Sequence, residues 1–261
     1  MKVLITGACS GIAFLTGISL NERGHTVYMT THTEKQKTTL ENKLKSMNIH
    51  DINVFKMDIG TNDINKIKKL DIDVLINHAA IGIGGSILDL EIDKVRENFD
   101  INFFSSFTLA KIFLNKLIKE NRKGKVIFTS SMAGYFPLEF LGSYCSTKSA
   151  ITMMAKCLRK ELKYKNSNIQ ISVIEPGAYR TGFNQVMIDT INSCINKNSY
   201  FYDVKNQVSF LLNLKFKLTE KKNLNSIVCQ ILKAVEDKNN RMFYSAPLFQ
   251  NIFKKIYLLF E

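Results

Sequence analysis

Tryptophan is absent from this chain of 261 residues, proline occurs only three times, and none of the five cysteines belongs to a Cys-x-x-Cys pair. An odd number of cysteines without such pairs argues against a disulfide framework and a zinc knuckle, so we expect no metal site. The same cysteines suit a reducing compartment, and we expect a cytoplasmic protein. No run of about 18 uninterrupted apolar residues occurs, which predicts that no helix crosses a membrane.

Acidic residues are the minority among the charged ones: 23 Asp and Glu stand against 36 Lys and Arg, and the formal net charge is +13. A strongly basic balance can indicate nucleic acid or an anionic membrane as a partner. The lysines are spread along the chain rather than clustered in one patch, so we do not expect nucleic-acid binding. With 45% apolar and 23% charged residues, the composition is that of a folded globular protein.

Short β-rich runs alternate with helical segments up to about residue 182. The pattern predicts strands at 3–5, 27–29, 54–57, 74–76, 126–128 and 171–174, and helices at 12–23, 34–47, 93–121 and 144–164. Alternation of this kind is typical of an α/β protein with a Rossmann-type, doubly wound parallel sheet and helices on both faces.

The remainder of the chain follows a different pattern. Residues 183–222 carry apolar side chains in no clear strand and helix order, which favours a substrate-binding lid. Residues 223–261 resume with a helix, a last strand at 242–244 and a closing helix at 248–260. We expect a single domain over 1–261, with the dinucleotide-binding and catalytic core in 1–182.

A glycine-containing turn, with Gly7, Ser10, Gly11 and Ile12, lies between the first strand and the first helix. In a doubly wound fold this turn holds a dinucleotide pyrophosphate. Glycine lets the backbone approach the phosphates, and the helix N-terminus offers free N–H groups. An ordinary tight turn explains two glycines about as often, but the position after the first strand favours a cofactor site.

The residue that reads the cofactor ribose stands about 20 positions after this turn, at the end of the second strand. Counting from Gly11 leads to Thr31, followed by His32, and neither is a carboxylate that would bind a 2′-hydroxyl. Small hydroxyls, His32 and the nearby Lys35 suit a 2′-phosphate. We therefore expect NADP(H) rather than NAD(H), with an ordinary polar strand end as the alternative.

Tyr144 and Lys148 are four residues apart and share one face of a predicted helix. An ammonium group beside a phenol lowers the phenol pKa and so prepares it for proton transfer. Such a pair by itself is common on helix surfaces. Ser131 adds weight to it, because it stands at the carboxyl end of the fifth strand, where the crevice of such a sheet opens.

With these motifs in place, the sequence resembles the short-chain dehydrogenase/reductase family over most of its length. The landmarks, in order, are Thr6-Gly7-x-x-x-Gly11, Asp58, Asn77-His78-Ala79-Ala80, Asn102, Ser131, Tyr144-Cys145-Ser146-Thr147-Lys148, and Pro176-Gly177 with Thr181. Two positions depart from the family pattern. Ala13 replaces the last glycine of the turn, and His78 stands where asparagine is common; we expect His78 to pack or hydrogen-bond rather than to act as a base.

The resemblance implies a catalytic set of Asn102, Ser131, Tyr144 and Lys148. Tyr144 would be the general acid or base, and Ser131 would bind the substrate oxygen. Lys148 would bind the nicotinamide ribose and lower the pKa of Tyr144, while Asn102 would hold a water in a proton relay. The cofactor-binding residues, from the resemblance and the turn together, would be Gly7, Ser10, Gly11, Ile12, Thr31, His32, Asp58, Ile59, Asn77, Ala79, Tyr144, Lys148, Pro176, Gly177 and Thr181.

The substrate side is predicted to be apolar. Tyr135 and Phe136 follow Ser131, and Phe183 opens the lid segment. With Ser131 and Tyr144 they would form a pocket for a hydrophobic ketone, aldehyde or secondary alcohol, unless they are core or lid packing.

The closing helix predicts a contact of its own. Phe249, Ile252, Phe253, Ile256 and Phe260 fall at helical spacing. We expect this face to dock on the protein's own core or on another subunit, a membrane surface being the less favoured alternative. The family resemblance implies a homodimer or homotetramer.

The sequence therefore predicts an NAD(P)-dependent oxidoreductase. The alternative is a catalytically silent dinucleotide-binding protein with a regulatory or scaffold role. The presence of Ser131, Tyr144 and Lys148 together argues against this alternative, because a pure binder needs no proton-transfer set.

Overall fold

Seven parallel strands form one sheet at the centre of the protein. The computed structural model describes residues 1–165, 167–239 and 241–260; the predicted domain end at Glu261 lies outside them. The strand order is β3-β2-β1-β4-β5-β6-β7. The strands are β1 Lys2–Ile5, β2 Thr26–Thr31, β3 Ile52–Lys56, β4 Val74–Asn77, β5 Gly124–Thr129, β6 Ile169–Pro176 and β7 Phe243–Ala246. The prediction of a doubly wound parallel sheet is confirmed.

Successive residues of the central strands face two different apolar cores. Val3 and Ile5 of β1 belong to one buried cluster, and Leu4 belongs to the other. Because side chains alternate across a strand, a sheet covered on both faces needs apolar residues at every position. This explains the continuous apolar runs, whose polar ends, such as Thr30 and Thr31, extend the backbone pairing beyond the predicted bounds.

Helices cover both faces. They are α1 Gly11–Glu22, α2 Glu34–Ser46, α3 Ile92–Phe99, α4 Ser106–Lys119, α5 Gly142–Lys163, α6 Phe183–Cys194, α7 Lys205–Thr219, α8 Asn225–Glu236 and α9 Leu248–Tyr257. Short 3-10 helices, which the sequence did not predict, span Asn62–Lys69, Met132–Gly134 and Tyr202–Val204.

The long helix predicted at 93–121 is divided by a π-helical stretch, Asp100–Ser105, between α3 and α4. Asn98 and Asn102 lie in this region, and their side chains bind the backbone of Ile83 and Ile81. A π-helical insertion shifts the helical phase by one residue. The altered phase accommodates both asparagines against the segment that follows β4.

The segment 183–222 contains two regular helices, α6 and α7. Met187 and Ile191 of α6 and Val208 and Leu212 of α7 join a third apolar cluster, which also contains Tyr144. The two helices therefore form a cover beside α5, next to the site rather than within the two main cores.

Of the two alternatives predicted for the apolar face of α9, docking on the protein's own core holds for Phe253, whose ring centroid lies 5.6 Å from that of Phe136, and not for the other exposed residues of that face. Docking on another subunit stays a prediction. Phe249 and Ile252 are 77% and 47% exposed, whereas Lys254 is 6% exposed. The reason is that Glu175, fully buried on β6, forms an ion pair with Lys254.

Across residues 1–165, 167–239 and 241–260, no helix has both the length and the apolar character needed to cross a bilayer.

Candidate active site

The turn between β1 and α1 depends on two glycines. Gly7 and Gly11 have φ angles of +66° and +62°, in the region that favours glycine. A Cβ at Gly7 would lie 2.8 Å from the Cα of Ala79, and one at Gly11 would lie 3.3 Å from Thr181. The turn therefore lies in close contact with Ala79, just after β4, and with Thr181, in the segment after β6.

The N-terminus of α1 suits an anionic ligand. Ser10 precedes the helix in an extended conformation, and no side chain of the described residues caps the first turn, which also holds no acidic residue. The first amide groups of a helix have no partner within it, and its dipole favours negative charge there. Because Ser10, Gly11 and Ile12 line a cavity, these amides fit the pyrophosphate of a dinucleotide.

The cavity has a volume of about 1380 Å³ and spans the carboxyl ends of the strands. A pocket for one small molecule has roughly 300–1,000 Å³, so there is room for a dinucleotide and a substrate together. The predicted site residues that line it are Gly7, Ser10, Gly11, Ile12, His32, Asp58, Ile59, Ala79, Ser131, Phe136, Tyr144, Lys148, Pro176, Gly177, Thr181 and Phe183.

At one end of the cavity, His32 and Asp58 lie together. The Nδ1 atom of His32 is 3.3 Å from a carboxylate oxygen of Asp58. The backbone N–H of His32 donates to the Oε1 atom of Gln36 at 3.0 Å, and Gln36 also lines the cavity although the sequence analysis did not select it. Thr31 does not line the cavity, because its side chain is buried and donates to the carbonyl of Thr33.

Ser131, Tyr144 and Lys148 meet near the middle of the cavity. Ser131 follows β5, and its hydroxyl accepts a hydrogen bond from the N–H of Ala133 at 3.1 Å. Tyr144 and Lys148 lie one turn apart on α5, with the Lys148 Nζ atom 5.6 Å from the Tyr144 ring centroid. That Nζ atom donates to the carbonyl of Thr129 at 3.1 Å. The β5 end and α5 thus place a hydroxyl, a phenol and an ammonium group at one point.

Burial controls the protonation of this group. Burial raises the pKa of Tyr144. The hydrogen bond with Ser131 acts in the opposite direction and lowers that pKa, but by less. Burial also lowers the pKa of Lys148 to about 8. The structure therefore gives no support to a Tyr144 pKa lowered by Lys148: the phenol is desolvated, and the ammonium is directed to the Thr129 carbonyl.

His78 lies against the same group. Burial and the positive charge of Lys148 lower the pKa of His78 to about 4, so the imidazole is neutral at neutral pH. Its Nδ1 atom lies 3.2 Å from the hydroxyl oxygen of Thr129, within hydrogen-bond distance. A neutral, hydrogen-bonded ring agrees with the packing interpretation rather than with a catalytic base.

A family model described as "short chain dehydrogenase" matches residues 1–192. The chain belongs to this family. It is 29% identical to the 3-ketodihydrosphingosine reductase of Bacteroides thetaiotaomicron over 97% of this chain and 90% of that protein. It is 28% identical to retinol dehydrogenase 8 of Bos taurus over 73% of this chain and 63% of that protein. The prediction of an oxidoreductase acting on CH–OH or C=O groups is confirmed.

Solved structures of short-chain dehydrogenases share the fold. The protein from Burkholderia phymatum in complex with NAD has a TM-score of 0.81 at 15% identity, over 97% of this chain and 92% of that one. The protein from Sphingobium yanoikuyae in complex with NADPH has a TM-score of 0.73 at 17% identity, over 100% and 95% of the two chains. A nicotinamide dinucleotide is therefore supported as the cofactor of this short-chain dehydrogenase.

Two predicted site residues of this short-chain dehydrogenase lie behind the cavity rather than in it. Asn77 donates from its Nδ2 atom to the carbonyl of Ser106 at 2.6 Å, while its Oδ1 atom finds no hydrogen-bond partner among the described residues. Asn102 accepts from the N–H of Ile81 at 2.8 Å and donates to the carbonyl of Ile81 at 2.9 Å. Their side chains join β4 and the segment after it to the helices.

Tyr135 does not reach the cavity either. Its hydroxyl donates to the carboxylate of Glu175 at 2.5 Å. Ser245 and Lys254 donate to the other oxygen of that carboxylate, so Glu175 has a partner on each side. Sequence reasoning missed this buried cluster, because nothing local links a strand-end glutamate to a lysine 79 positions later.

The sequence analysis also missed part of the cavity wall. Met187 of α6, Leu212 and Phe216 of α7, and Phe249 and Phe253 of α9 line it. The helical spacing was visible only for Phe249 and Phe253, and it did not show which neighbour each side chain would meet. The cavity is thus enclosed by α6 and α7, which lie between β6 and β7, and by α9, which follows β7, as well as by the sheet itself.

Proposed function

We propose that this short-chain dehydrogenase interconverts hydrophobic ketones or aldehydes and their alcohols with NADP(H), and that Tyr144 is its general acid and base. The observation that carries the proposal is the convergence of Ser131, Tyr144 and Lys148 on a cavity that also contains the glycine turn. A binding protein without turnover has no need of this proton-transfer set.

The residues of the chain have separate tasks in the proposed reaction. Bound nicotinamide supplies the hydride for reduction and accepts it in oxidation. Ser131 donates a hydrogen bond to the substrate oxygen, where negative charge develops. Because burial raises the pKa of Tyr144, the phenol carries its proton at neutral pH and donates it to that oxygen in the reductive direction.

Lys148 and the glycine turn position the cofactor in this proposal. Lys148 keeps its charge at pH values below about 8, where its ammonium group binds the nicotinamide ribose. Gly7, Gly11 and the N-terminus of α1 hold the pyrophosphate. Asn102 acts from behind the cavity by fixing Ile81, which lines the wall beside the substrate.

The NADP(H) preference rests on the end of β2. His32 occupies the first position after that strand, and its side chain is 66% exposed at the rim of the cavity. An imidazole or the nearby Lys35 tolerates a 2′-phosphate, whereas a carboxylate there would repel it. The nearby carboxylate of Asp58 is in contact with the imidazole of His32, 3.3 Å from its Nδ1 atom.

The cofactor preference is tested by titrating the protein with NADPH and NADH in parallel. The chain has no tryptophan to report by energy transfer, so the emission of the nicotinamide itself is followed. We expect tighter binding of NADPH. Tighter binding of NADH would contradict the cofactor preference alone, and binding of neither would contradict the proposed function.

The role of Tyr144 is tested by Tyr144→Phe, which removes the hydroxyl and keeps the ring. We expect turnover of a hydrophobic ketone to fall roughly 100-fold or more, because the proton donor is lost, while NADPH affinity stays within roughly twofold. Tyr164→Phe is the matched control, since Tyr164 is exposed at the end of α5. Unchanged turnover in Tyr144→Phe would remove Tyr144 from the mechanism, and a wild-type protein that binds NADPH without turning over any carbonyl of a hydrophobic panel would favour the silent binder.

A further inference from the structure

Helix α9 is turned with its polar face toward the protein and its apolar face outward. Gln250 and Lys254, four residues apart, face the protein. Leu248, Ile252 and Ile256 are also spaced by four, and they are 72%, 47% and 49% exposed. This is the reverse of the usual orientation of an amphipathic helix on a globular protein.

Specific polar contacts hold this orientation. Lys254 is paired with the buried carboxylate of Glu175. The Oε1 atom of Gln250 accepts from the N–H of Ala178 at 2.8 Å, and its Nε2 atom donates to the carbonyl of Thr219 at 2.8 Å. Rotating α9 to bury its apolar face would leave Glu175 without its cation, which is strongly unfavourable. The outward apolar face is therefore a fixed feature of the fold.

Helix α7 carries a second exposed apolar stripe. Its last residue, Thr219, is bonded to Gln250, and Phe210, Leu214 and Leu218 form an exposed stripe with a spacing of four along it. Neither α7 nor α9 contains an aspartate or glutamate. Exposed lysines flank the apolar residues: Lys217 on α7, Lys255 on α9, and Lys221 and Lys222 just after α7. An apolar face bordered by lysines is typical of helices that lie in a membrane interface.

The cavity opens onto this surface. Phe249 and Phe253 line the cavity and are nevertheless 77% and 58% exposed. Leu212 and Phe216 of α7 also line it. The apolar lining is thus continuous with the outer apolar surface of α9, whereas the exposed stripe of α7 lies on the face of that helix turned away from the cavity.

We propose that the apolar faces of α7 and α9 dock on an anionic phospholipid surface, and that a lipid ketone or alcohol enters the cavity from the bilayer. The proposal rests on the proposed function for the identity of the reacting group. Charge favours a membrane over a second copy of this chain: the formal net charge is +13, and an interface between two copies would bring the flanking lysines of each against those of the other. An anionic bilayer offers the complementary charge.

The test is co-sedimentation of the full chain with vesicles of phosphatidylcholine containing phosphatidylserine, and with vesicles of phosphatidylcholine alone. The test variant is Ile252→Ser/Ile256→Ser, because neither residue lines the cavity. The matched control is Leu88→Ser/Ile92→Ser, in which both residues are exposed elsewhere. We expect wild type and control to sediment with the anionic vesicles, and the test variant to bind roughly tenfold more weakly or worse.

Charge and oligomeric state give independent checks. Lys217→Glu/Lys255→Glu leaves the apolar face intact, and we expect it to weaken binding to the anionic vesicles and not to the neutral ones. Equal sedimentation of wild type and both variants would overturn the proposal. So would an absence of vesicle binding combined with dissociation of a dimer in Ile252→Ser/Ile256→Ser, measured by light scattering, which would assign the surface to a second copy.

A comparison of two substrates separates this inference from the proposed function. With NADPH, we expect Ile252→Ser/Ile256→Ser to reduce a short water-soluble ketone like wild type, and to reduce a long-chain ketone embedded in anionic vesicles more slowly than wild type. Equal rates of wild type and variant on the embedded ketone would overturn entry from the bilayer. Vesicle binding without turnover of either ketone would contradict the proposed function and leave the membrane docking supported.

Discussion

At the scale of single residues, the site combines groups whose pKa values are shifted by burial. Lys148 is buried and has a pKa of about 8 in place of 10.5. Since the pKa of Lys148 is lower in the folded protein than in the unfolded chain, the unfolded chain binds more protons between about pH 8 and pH 10.5. The contribution of Lys148 to stability therefore rises as the pH rises from about 8 to 10.5.

Lys148→Met is expected to raise the free energy of unfolding at pH 7 by about 2 kcal/mol, although the proposed mechanism predicts that it abolishes turnover. The reason is that the free-energy cost of burying the Lys148 charge, which the substitution removes, is larger than the contribution of the hydrogen bond to Thr129, which it loses. Urea unfolding at pH 7 and at about pH 10 checks this, because the advantage should shrink at the higher pH. Lys160→Met, an exposed position on the same helix, should change little at either pH. An advantage that stays constant with pH would show that charge burial is not its cause.

At the scale of elements, the ion pair of Lys254 with Glu175 anchors α9, beside the two hydrogen bonds of Gln250. Lys254→Met leaves the carboxylate of Glu175 buried with the hydroxyls of Tyr135 and Ser245 as its side-chain donors among the described residues. We expect a loss of about 3 kcal/mol in the free energy of unfolding, measured with urea. The matched variant is Lys255→Met, whose lysine is exposed, and it should lose less than about 0.5 kcal/mol. Equal losses in the two variants would mean that the pair does not anchor the helix.

The same element marks where sequence reasoning ends. The spacing of Phe249, Ile252 and Ile256 predicted a helix with an apolar face, and α9 is that helix. The sequence did not show that most of this face points away from the protein's own core, because Lys254 finds its partner 79 positions away on another element. The strands and the glycine turn were predictable since their pattern is local: short continuous apolar runs mark the strands, and close backbone approach demands Gly7 and Gly11. The side chains of Asn102 and Tyr135 point away from the cavity because they bind Ile81 and Glu175, which are distant in sequence.

At the scale of the whole molecule, the cavity draws its walls from both halves of the sheet. Gly11 and His32 belong to the half that begins with β1, and Ser131 and Thr181 belong to the half that includes β5 and β6. A ligand that bridges both halves binds the folded state and not the unfolded chain. It should therefore stabilise the protein against global unfolding.

NADPH at about 100 times its dissociation constant is expected to raise the free energy of unfolding by about 2.7 kcal/mol. Gly11→Ala and Gly24→Ala separate this effect from backbone strain, because both glycines have positive φ, +62° and +77°. A Cβ at Gly24 meets nothing within 4 Å, whereas one at Gly11 enters the turn beside Thr181. Without cofactor, each variant should lose about 1–2 kcal/mol. In thermal unfolding with NADPH, Gly24→Ala should keep the wild-type gain and Gly11→Ala should lose most of it; equal gains would mean that the cofactor does not lie against this turn.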